Sequence, residues 1–137
     1  MSIRPAHVED VDAVLALWRQ ARSAAASTSD DPESVSRLVE RAPGALLVAE
    51  RQGRVVGALV AAWDGWRGNM YRLAVLPPYR RRGVARELVA AGHEHLRAKG
   101  ARRVTALVAH DEEDATALWR SAGYRFDDQM ARFVRNL

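Results

Sequence analysis

Tyr79-Arg80-Arg81-Arg82-Gly83-Val84-Ala85-Arg86 separates an apolar segment that ends at Leu76 from a long amphipathic segment that begins at Val84. The first N–H groups of a helix have no partner inside the helix, and its dipole adds about half a positive charge there. Gly83 lets the backbone approach an anion closely, and Ala85 keeps the next contact small. Arginine forks suit phosphate oxygens. These residues predict a site for a ligand with one or two phosphates, with a basic surface turn as the alternative.

The segments on either side of this loop predict a strand–helix–strand unit. A strand over about 69–76 ends at Pro77-Pro78, which cannot continue a ladder. A helix over about 83–99 ends at Gly100, the expected C-terminal glycine. The apolar run 104–109 predicts a short strand buried on both faces. A crossover of this kind implies parallel strands and a right-handed connection.

The remaining segments predict an α/β fold in which helices flank a mixed sheet. Their order is β-α-α-β-β-β-α-β-α-β(-β), which we interpret as a single domain over residues 1–137. The other predicted elements are a strand at 2–4, a helix at 8–22, a helix that Asp31 caps and Pro43-Gly44 ends, hairpin strands at 45–51 and 54–63 joined by Gln52-Gly53, a helix at 113–122 closed by Gly123, and one or two strands in 124–137.

Composition excludes several classes of protein. The chain of 137 residues has no cysteine, which excludes disulfides, thiolate metal sites and a cysteine nucleophile. Its longest apolar run, 55–63, is too short to cross a bilayer, and no hydrophobic signal region follows the N-terminus. We therefore expect a cytoplasmic protein that has no membrane partner.

The formal charge of +4, from 21 Lys and Arg against 17 Asp and Glu, raises the question of a nucleic-acid partner. The surplus is local, in Arg80-Arg81-Arg82 with Arg86 and in Arg102-Arg103, while acidic residues concentrate elsewhere. The sequence also lacks an exposed aromatic platform on which bases could stack. A small bound anion fits this distribution better, and we expect no nucleic-acid partner.

Two motifs that the sequence lacks limit the classes of phosphate-containing ligand that we expect. The sequence has no Gly-x-x-x-x-Gly-Lys-Ser/Thr loop, which argues against a nucleotide triphosphatase. It also lacks the additional glycines of a dinucleotide-binding loop, which argues against hydride transfer.

Two motifs resemble those of the GNAT N-acyltransferase superfamily. Arg80-x-x-Gly83-x-Ala85, preceded by Leu73-Ala74-Val75-x-Pro77, is similar to its acetyl-CoA pyrophosphate loop. Ala115-x-x-Leu118-Trp119-x-x-x-Gly123-Tyr124 is similar to its second motif, which usually reads Ala-x-x-Leu-Tyr-x-x-x-Gly-Phe. The order of elements also matches the family along essentially the whole chain.

The resemblance implies an acetyl-CoA-dependent N-acetyltransferase that uses no metal. In the family, the strand that corresponds to about 69–76 here and the strand after the long helix splay apart. The pantetheine arm then pairs with residues 73–75 like an added strand, and the thioester carbonyl points at an amide near Ala74 or Val75. An amine attacks directly, in a ternary complex. The residues that the resemblance assigns to acetyl-CoA are Leu73, Ala74, Val75, Arg80, Arg81, Arg82, Gly83, Val84, Ala85, Arg86 and Trp119.

The sequence departs from the family pattern at three positions. Tyr71 and Arg72 stand where an acidic residue is often found, and Glu112 stands where asparagine is common. Trp119 replaces the tyrosine commonly used as general acid, and an indole N–H cannot usefully give up a proton. An alternative hypothesis is therefore a non-catalytic acyl-CoA-binding sensor of the same fold.

Two residues are candidates for proton transfer in catalysis. His110 follows the strand at 104–109, and the ordinary pKa of histidine suits a base; the alternative is a histidine that merely precedes a helix. Tyr71 would lie beside the splay, where it could relay a proton or only pack on the sheet. Glu50 is a third possibility for a water-mediated base, or else the solvated end of a hairpin.

The acceptor is left open as a small amine, an amino acid, an antibiotic or a protein amine, and a homodimer is possible. Asp30, Asp31 and Glu33 could attract a cationic amine, or Asp31 and Glu33 could serve helix capping alone. His93 and His95 point to different sides of their helix, so we interpret them as part of a solvated face.

Overall fold

A computed structural model describes residues 1–21, 30–109 and 113–137, and its central feature is a five-stranded sheet in the order β1-β2-β3-β4-β5. Within β1 to β4, each adjacent pair of strands is antiparallel, and β5 is parallel to β4. The bounds are β1 Ser2–Pro5, α1 Val11–Ala21, α2 Pro32–Arg41, β2 Leu46–Arg51, β3 Arg54–Trp63, β4 Gly68–Val75, α3 Val84–Lys99, β5 Val104–Ala106 and α4 Glu113–Ser121.

This architecture confirms the predicted mixed α/β fold and its strand–helix–strand unit. Gln52 and Gly53 take positive φ angles of 51° and 75°, the backbone that a tight hairpin between β2 and β3 requires. Asp31 caps α2 as predicted, since its carboxylate accepts hydrogen bonds from the Ser34 N–H and hydroxyl at 2.8 Å each. These two hydrogen bonds, the one from the backbone N–H most strongly, lower the pKa of Asp31.

Helices pack on both faces of the sheet, and β3 lies in the middle of the core. An added Cβ at Gly57 or Gly92 would meet side chains across the interface between α3 and the sheet, including Met70 Cε at 2.6 Å from Gly92. Val56, Ala58 and Val60 are almost completely buried on the opposite face, where α1 contacts β3 and β4. The glycines therefore let α3 approach the sheet closely, directly behind the loop that precedes it.

Two predictions about the C-terminal third are wrong. The strand predicted at 104–109 is only Val104–Ala106, and it is half-exposed because it is the last strand of the described sheet. The strands predicted in 124–137 are absent, and this tail is largely exposed. Its apolar residues do not recur at every second position, as a strand with one buried face requires. They are Phe126, Met130, Phe133, Val134 and Leu137.

Among the described residues, no helix is both long and apolar enough to cross a membrane.

Candidate functional site

The sheet opens into a gap between β4 and β5. The two strands pair only where Gly68, Asn69 and Met70 lie opposite Val104–Ala106. The last bond between them runs from the Leu107 N–H to the Met70 carbonyl at 3.0 Å. Beyond it, β4 continues to Val75 with β3 as its only strand neighbour in the described sheet. The structure thus confirms the predicted splay.

The backbone of Val75 faces this gap. The next amide, that of Leu76, donates to the Val56 carbonyl on the β3 side at 2.9 Å. Because the N–H and the carbonyl of a trans peptide point in opposite directions, the Val75 carbonyl points away from β3. The N–H and carbonyl of one strand residue share a side, so the Val75 N–H faces the gap as well. The Arg80 guanidinium donates to the Val75 carbonyl at 3.1 Å from Nε, which leaves the N–H as the group open to a ligand.

The N-terminus of α3 lies at the end of β4 where the gap opens. Gly83 is the N-cap, with a φ of 86° and no side-chain cap hydrogen bond. The first intrahelical bond runs from the Glu87 N–H to the Gly83 carbonyl at 3.0 Å. The three intervening amides, of Val84, Ala85 and Arg86, therefore lack an intrahelical acceptor. An added Cβ at Gly83 would meet nothing within 4 Å, so the space in front of these amides is open.

The arginines of the loop take different directions. Arg80 turns back onto the Val75 carbonyl. Arg81, whose φ is 62°, reaches the Asp114 carboxylate of α4 at 3.4 Å, in a pair so exposed that it adds little stability. The Arg82 guanidinium lies 6.0 Å from the ring centre of Tyr79. Positive φ angles two residues apart curve the backbone into the concave form that binds anions.

The residues assigned to the cofactor differ in burial, and this indicates which of them can offer a side chain to a ligand and which can offer only backbone groups. Ala74, Val75, Val84 and Trp119 are buried, so Val84 offers its amide and not its side chain. Leu73 and Ala85 are half-buried, while Arg80, Arg81, Arg82, Gly83 and Arg86 are exposed.

The two catalytic candidates differ in how well they are placed. Tyr71 is half-buried and lies opposite Val60 of β3. It is the first residue of β4 beyond the segment that pairs with β5. This places Tyr71 beside the gap, as predicted. His110 lies outside the described residues, as does Glu112.

Trp119 belongs to an aromatic cluster at the end of α4. Its ring meets the Tyr124 ring edge to face, with centroids 4.9 Å apart. The Tyr124 hydroxyl is 2.7 Å from His93 Nε2 and 3.6 Å from the Met70 sulfur. Burial raises the pKa of Tyr124 to about 12. Burial also lowers the pKa of His93, and nearby Arg97 lowers it further.

This cluster corrects the interpretation of His93 and His95 as a solvated face. Both side chains are half-buried, and His93 stacks on Tyr124 with ring centroids 5.6 Å apart. His95 lies against Gly44, where an added Cβ would approach its ring to 2.7 Å. The two imidazoles do point in different directions, as predicted.

Glu50 lies in an ionic network on the side of β2 that faces β1. Its carboxylate accepts a hydrogen bond from Arg4 Nε at 2.7 Å, and Arg4 also binds Asp10 at 2.7 Å. The Arg4 guanidinium holds the pKa of Asp10 below its ordinary value. The Arg4 ion pair gives Glu50 a structural partner, so it is not simply the solvated end of a hairpin, and its role as a water-mediated base stays a prediction.

A cluster around Arg72 was not predicted from the sequence. Arg72 has a φ of 58°, and its guanidinium binds the Asp30 carboxylate at 2.7 Å. The Trp18 indole donates to the Arg72 carbonyl at 3.1 Å. Asp30 is therefore paired with an arginine and is not a free attractor for a cationic amine. The cluster surrounds a residue other than glycine that has a left-handed backbone conformation. Nothing in an amino-acid sequence indicates such a conformation at such a residue.

Comparison with known proteins places these features among acetyltransferases. The model of the acetyltransferase (GNAT) family matches residues 11–124. An acetyltransferase of Sodalis glossinidius is 32% identical over 138 residues, covering 100% of this chain and 96% of the relative. One of Photorhabdus laumondii is 37% identical over 117 residues, covering 85% of this chain and 80% of the relative.

Solved structures agree on the fold. A ribosomal-protein-alanine N-acetyltransferase of Brucella melitensis superposes with a TM-score of 0.76 at 26% identity, covering 90% of this chain and 83% of that one. An aminoglycoside N-acetyltransferase solved with CoA superposes with a TM-score of 0.79 at 18% identity, covering 99% and 95% of the two chains.

Proposed function

Because the chain belongs to the GNAT family and is an acetyltransferase, we propose that it moves the acetyl group of acetyl-CoA to a primary amine by direct attack in a ternary complex. The observation that carries this proposal is the coincidence of two features at one end of β4. An open strand gap and an uncapped helix N-terminus lie next to each other there. One domain over residues 1–137 would perform the reaction.

The donor half of the proposal rests on backbone groups. The amides of Val84, Ala85 and Arg86 would bind the pyrophosphate, with Gly83 leaving room for it and Arg81 and Arg82 beside it. Residues 73–75 would pair with the pantetheine arm along the gap. The open Cβ position at Gly83 supports this fit, since a side chain there would fill the cradle. Acetyl-CoA would supply an acyl group activated as a thioester.

Carbonyl activation is assigned to an amide of β4. The Val75 N–H faces the gap, and a preorganised N–H that meets developing negative charge on an acyl oxygen contributes on the order of 3 kcal/mol.

The acceptor must lose a proton before it attacks. An alkyl ammonium with a pKa near 10 is neutral in about one molecule per thousand at pH 7, which adds roughly 4 kcal/mol to the barrier. Tyr71 beside the gap and His110 are the proposed proton-transfer residues, and Trp119 is unsuited to act as an acid. We expect His110→Ala to alter the pH–rate profile, and an unchanged profile eliminates His110 as the base.

The class of acceptor is proposed only as an amine. The solved relatives named above act on a ribosomal-protein alanine and on aminoglycosides, which are both amines but differ greatly in size. A cytoplasmic location and a possible homodimer stay predictions from the sequence.

A sensor that binds acyl-CoA without turnover is the second candidate. Two observations favour it: Trp119 is buried in place of the family's tyrosine, and Arg72 is paired with Asp30 where the family often has an acid. Titration with acetyl-CoA followed by a thiol-release screen over amines separates the two. Tight binding without turnover on any amine would favour the sensor.

The binding loop is tested by Gly83→Asp, with Gly53→Asp as its matched control. Both glycines have positive φ angles, 86° and 75°, and open space around an added Cβ, so both variants introduce similar strain and the same charge. We expect Gly83→Asp to abolish acetyl-CoA binding in isothermal titration, because its carboxylate would face the pyrophosphate. Gly53→Asp should bind as the unmodified protein does. If Gly83→Asp retains its affinity, the loop assignment is wrong.

A further inference from the structure

Arg72 occupies an irregular position in β4 that a glycine would normally take. Val60 lies opposite Tyr71 and Ala58 lies opposite Ala74, so β4 has one residue more than β3 between these pairs. The extra residue forms a β-bulge, and Arg72 within it has a φ of 58°. A left-handed residue other than glycine costs about 1–2 kcal/mol. Such a conformation persists only where surrounding contacts impose it.

Trp18 and Asp30, both in the part of the chain that the structure describes, supply such contacts. The Trp18 indole on α1 donates to the Arg72 carbonyl at 3.1 Å. The Asp30 carboxylate, before α2, binds the Arg72 guanidinium at 2.7 Å, and the two side chains are only 18% and 25% exposed. The guanidinium also lies 5.5 Å from the centre of the Trp18 ring, within range of a cation–π interaction. The backbone carbonyl and the guanidinium of Arg72 are thus held by separate interactions.

The bulge decides which amides face the gap. The Met70 carbonyl faces β5, so in a regular strand the groups of residues 72 and 74 would face the gap. With one residue inserted, Ala74 pairs with β3 and Val75 faces the gap instead. The Arg72 carbonyl also shares a peptide plane with the Leu73 N–H. By holding that carbonyl, Trp18 makes the Leu73 N–H point away from α1.

We propose that Trp18 and Asp30 are positioning residues that hold Arg72 left-handed and so aim the Val75 N–H into the gap for acyl transfer. The proposal rests on the proposed function, because it concerns the same gap. Neither residue touches the reacting atoms; each acts through the backbone of Arg72. Trp18 therefore has a role beyond packing, and Asp30 has a positioning role in place of attracting an amine.

The first test compares Trp18→Phe with Trp66→Phe. The first variant keeps an aromatic ring in the core but removes the indole N–H, and the second makes the same change at an exposed hairpin residue. We expect Trp18→Phe to lower kcat by about tenfold to a hundredfold, the usual effect of a small misplacement, with KM for acetyl-CoA within about twofold. Trp66→Phe should leave both constants unchanged. An unchanged kcat in Trp18→Phe would overturn the proposal.

The second test compares Arg72→Gly with Arg72→Ala, which both lose the guanidinium. Glycine adopts a φ of 58° without strain, whereas alanine does not. We expect kcat of Arg72→Gly to exceed that of Arg72→Ala by about tenfold, which corresponds to roughly 1.4 kcal/mol. Adding Asp30→Asn should lower kcat in the unmodified protein but not in Arg72→Gly. Equal impairment of the glycine and alanine variants would show that the guanidinium itself matters and would overturn the proposal.

A third measurement keeps this proposal separate from the proposed function. The amide resonance of Val75 in ¹H–¹⁵N spectra reports the bulge without any turnover, and Val75 is not a sequence neighbour of residue 72. It should move in Trp18→Phe and in Arg72→Ala but stay near its original position in Arg72→Gly. If the unmodified protein acetylates no amine, the proposed function fails while these shifts still decide whether Trp18 holds the bulge.

Discussion

Single residues of the loop contribute through their backbone more than through their side chains. Val84 is 2% exposed and Ala85 has only a methyl group, yet both present N–H groups without an intrahelical acceptor. The sequence predicted this because glycine, a small residue and a helix start coincide at 83–85. It did not predict that Arg80 would turn back onto Val75, since the direction of a long side chain depends on tertiary contacts.

His93 and His95 should make stability depend on pH. Burial lowers the pKa of both in the folded protein. As the pH falls through the ordinary imidazole pKa, near 6.5, the unfolded chain takes up protons before the folded protein does. Stability is therefore complete above this pH and decreases below it. We expect the urea midpoint to be lower at pH 5.5 than at pH 7.5.

The variant His93→Gln tests whether these side chains cause that dependence. Glutamine can still accept a hydrogen bond from the Tyr124 hydroxyl but does not titrate in this range. The difference between the two midpoints should become smaller in His93→Gln and smaller still when His95→Gln is added. If all three proteins show the same difference, other groups cause the pH dependence.

At the scale of elements, α3 depends on a close approach to the sheet. An added Cβ at Gly92 would lie 2.6 Å from Met70 Cε and 3.1 Å from Leu59 Cδ2. We expect Gly92→Leu to lower the free energy of unfolding by about 1–3 kcal/mol, because the larger side chain forces the helix away from β3 and β4. Ala90→Leu, on the exposed side of the same helix, should change it by less than about 0.5 kcal/mol. Equal urea midpoints for the two variants would contradict this account.

Elements with strong end signals were predicted well. Asp31 and Pro32 mark the start of α2, Gly100 the end of α3, and Gln52-Gly53 the hairpin. The bulge in β4 was missed because Arg72 carries no signal for a left-handed backbone. The length of β5 was overestimated because an apolar run reports hydrophobicity but not whether a neighbouring strand exists.

At the scale of the whole molecule, the tail after Tyr124 contributes little burial. Phe133 is 94% exposed and Val134 is 72% exposed. We expect the double variant Phe133→Ser/Val134→Ser to keep its melting temperature within about 2 °C, because few apolar contacts are lost. Leu88→Ala, at a fully buried site, should cost about 2–5 kcal/mol. A similar loss in the tail variant would mean that the tail packs on the body of the protein after all.

The gap between β4 and β5 also has a consequence for the lifetime of the protein in a cell. Under the proposed function, a metabolite fills the place of a missing strand, and a ligand present at a hundred times its Kd adds about 2.7 kcal/mol to the folded state. Proteases act mainly on molecules that have opened, so scarcity of the metabolite would expose more copies to degradation. The abundance of this enzyme would then rise and fall with the nutritional supply of acetyl groups, without any dedicated regulator.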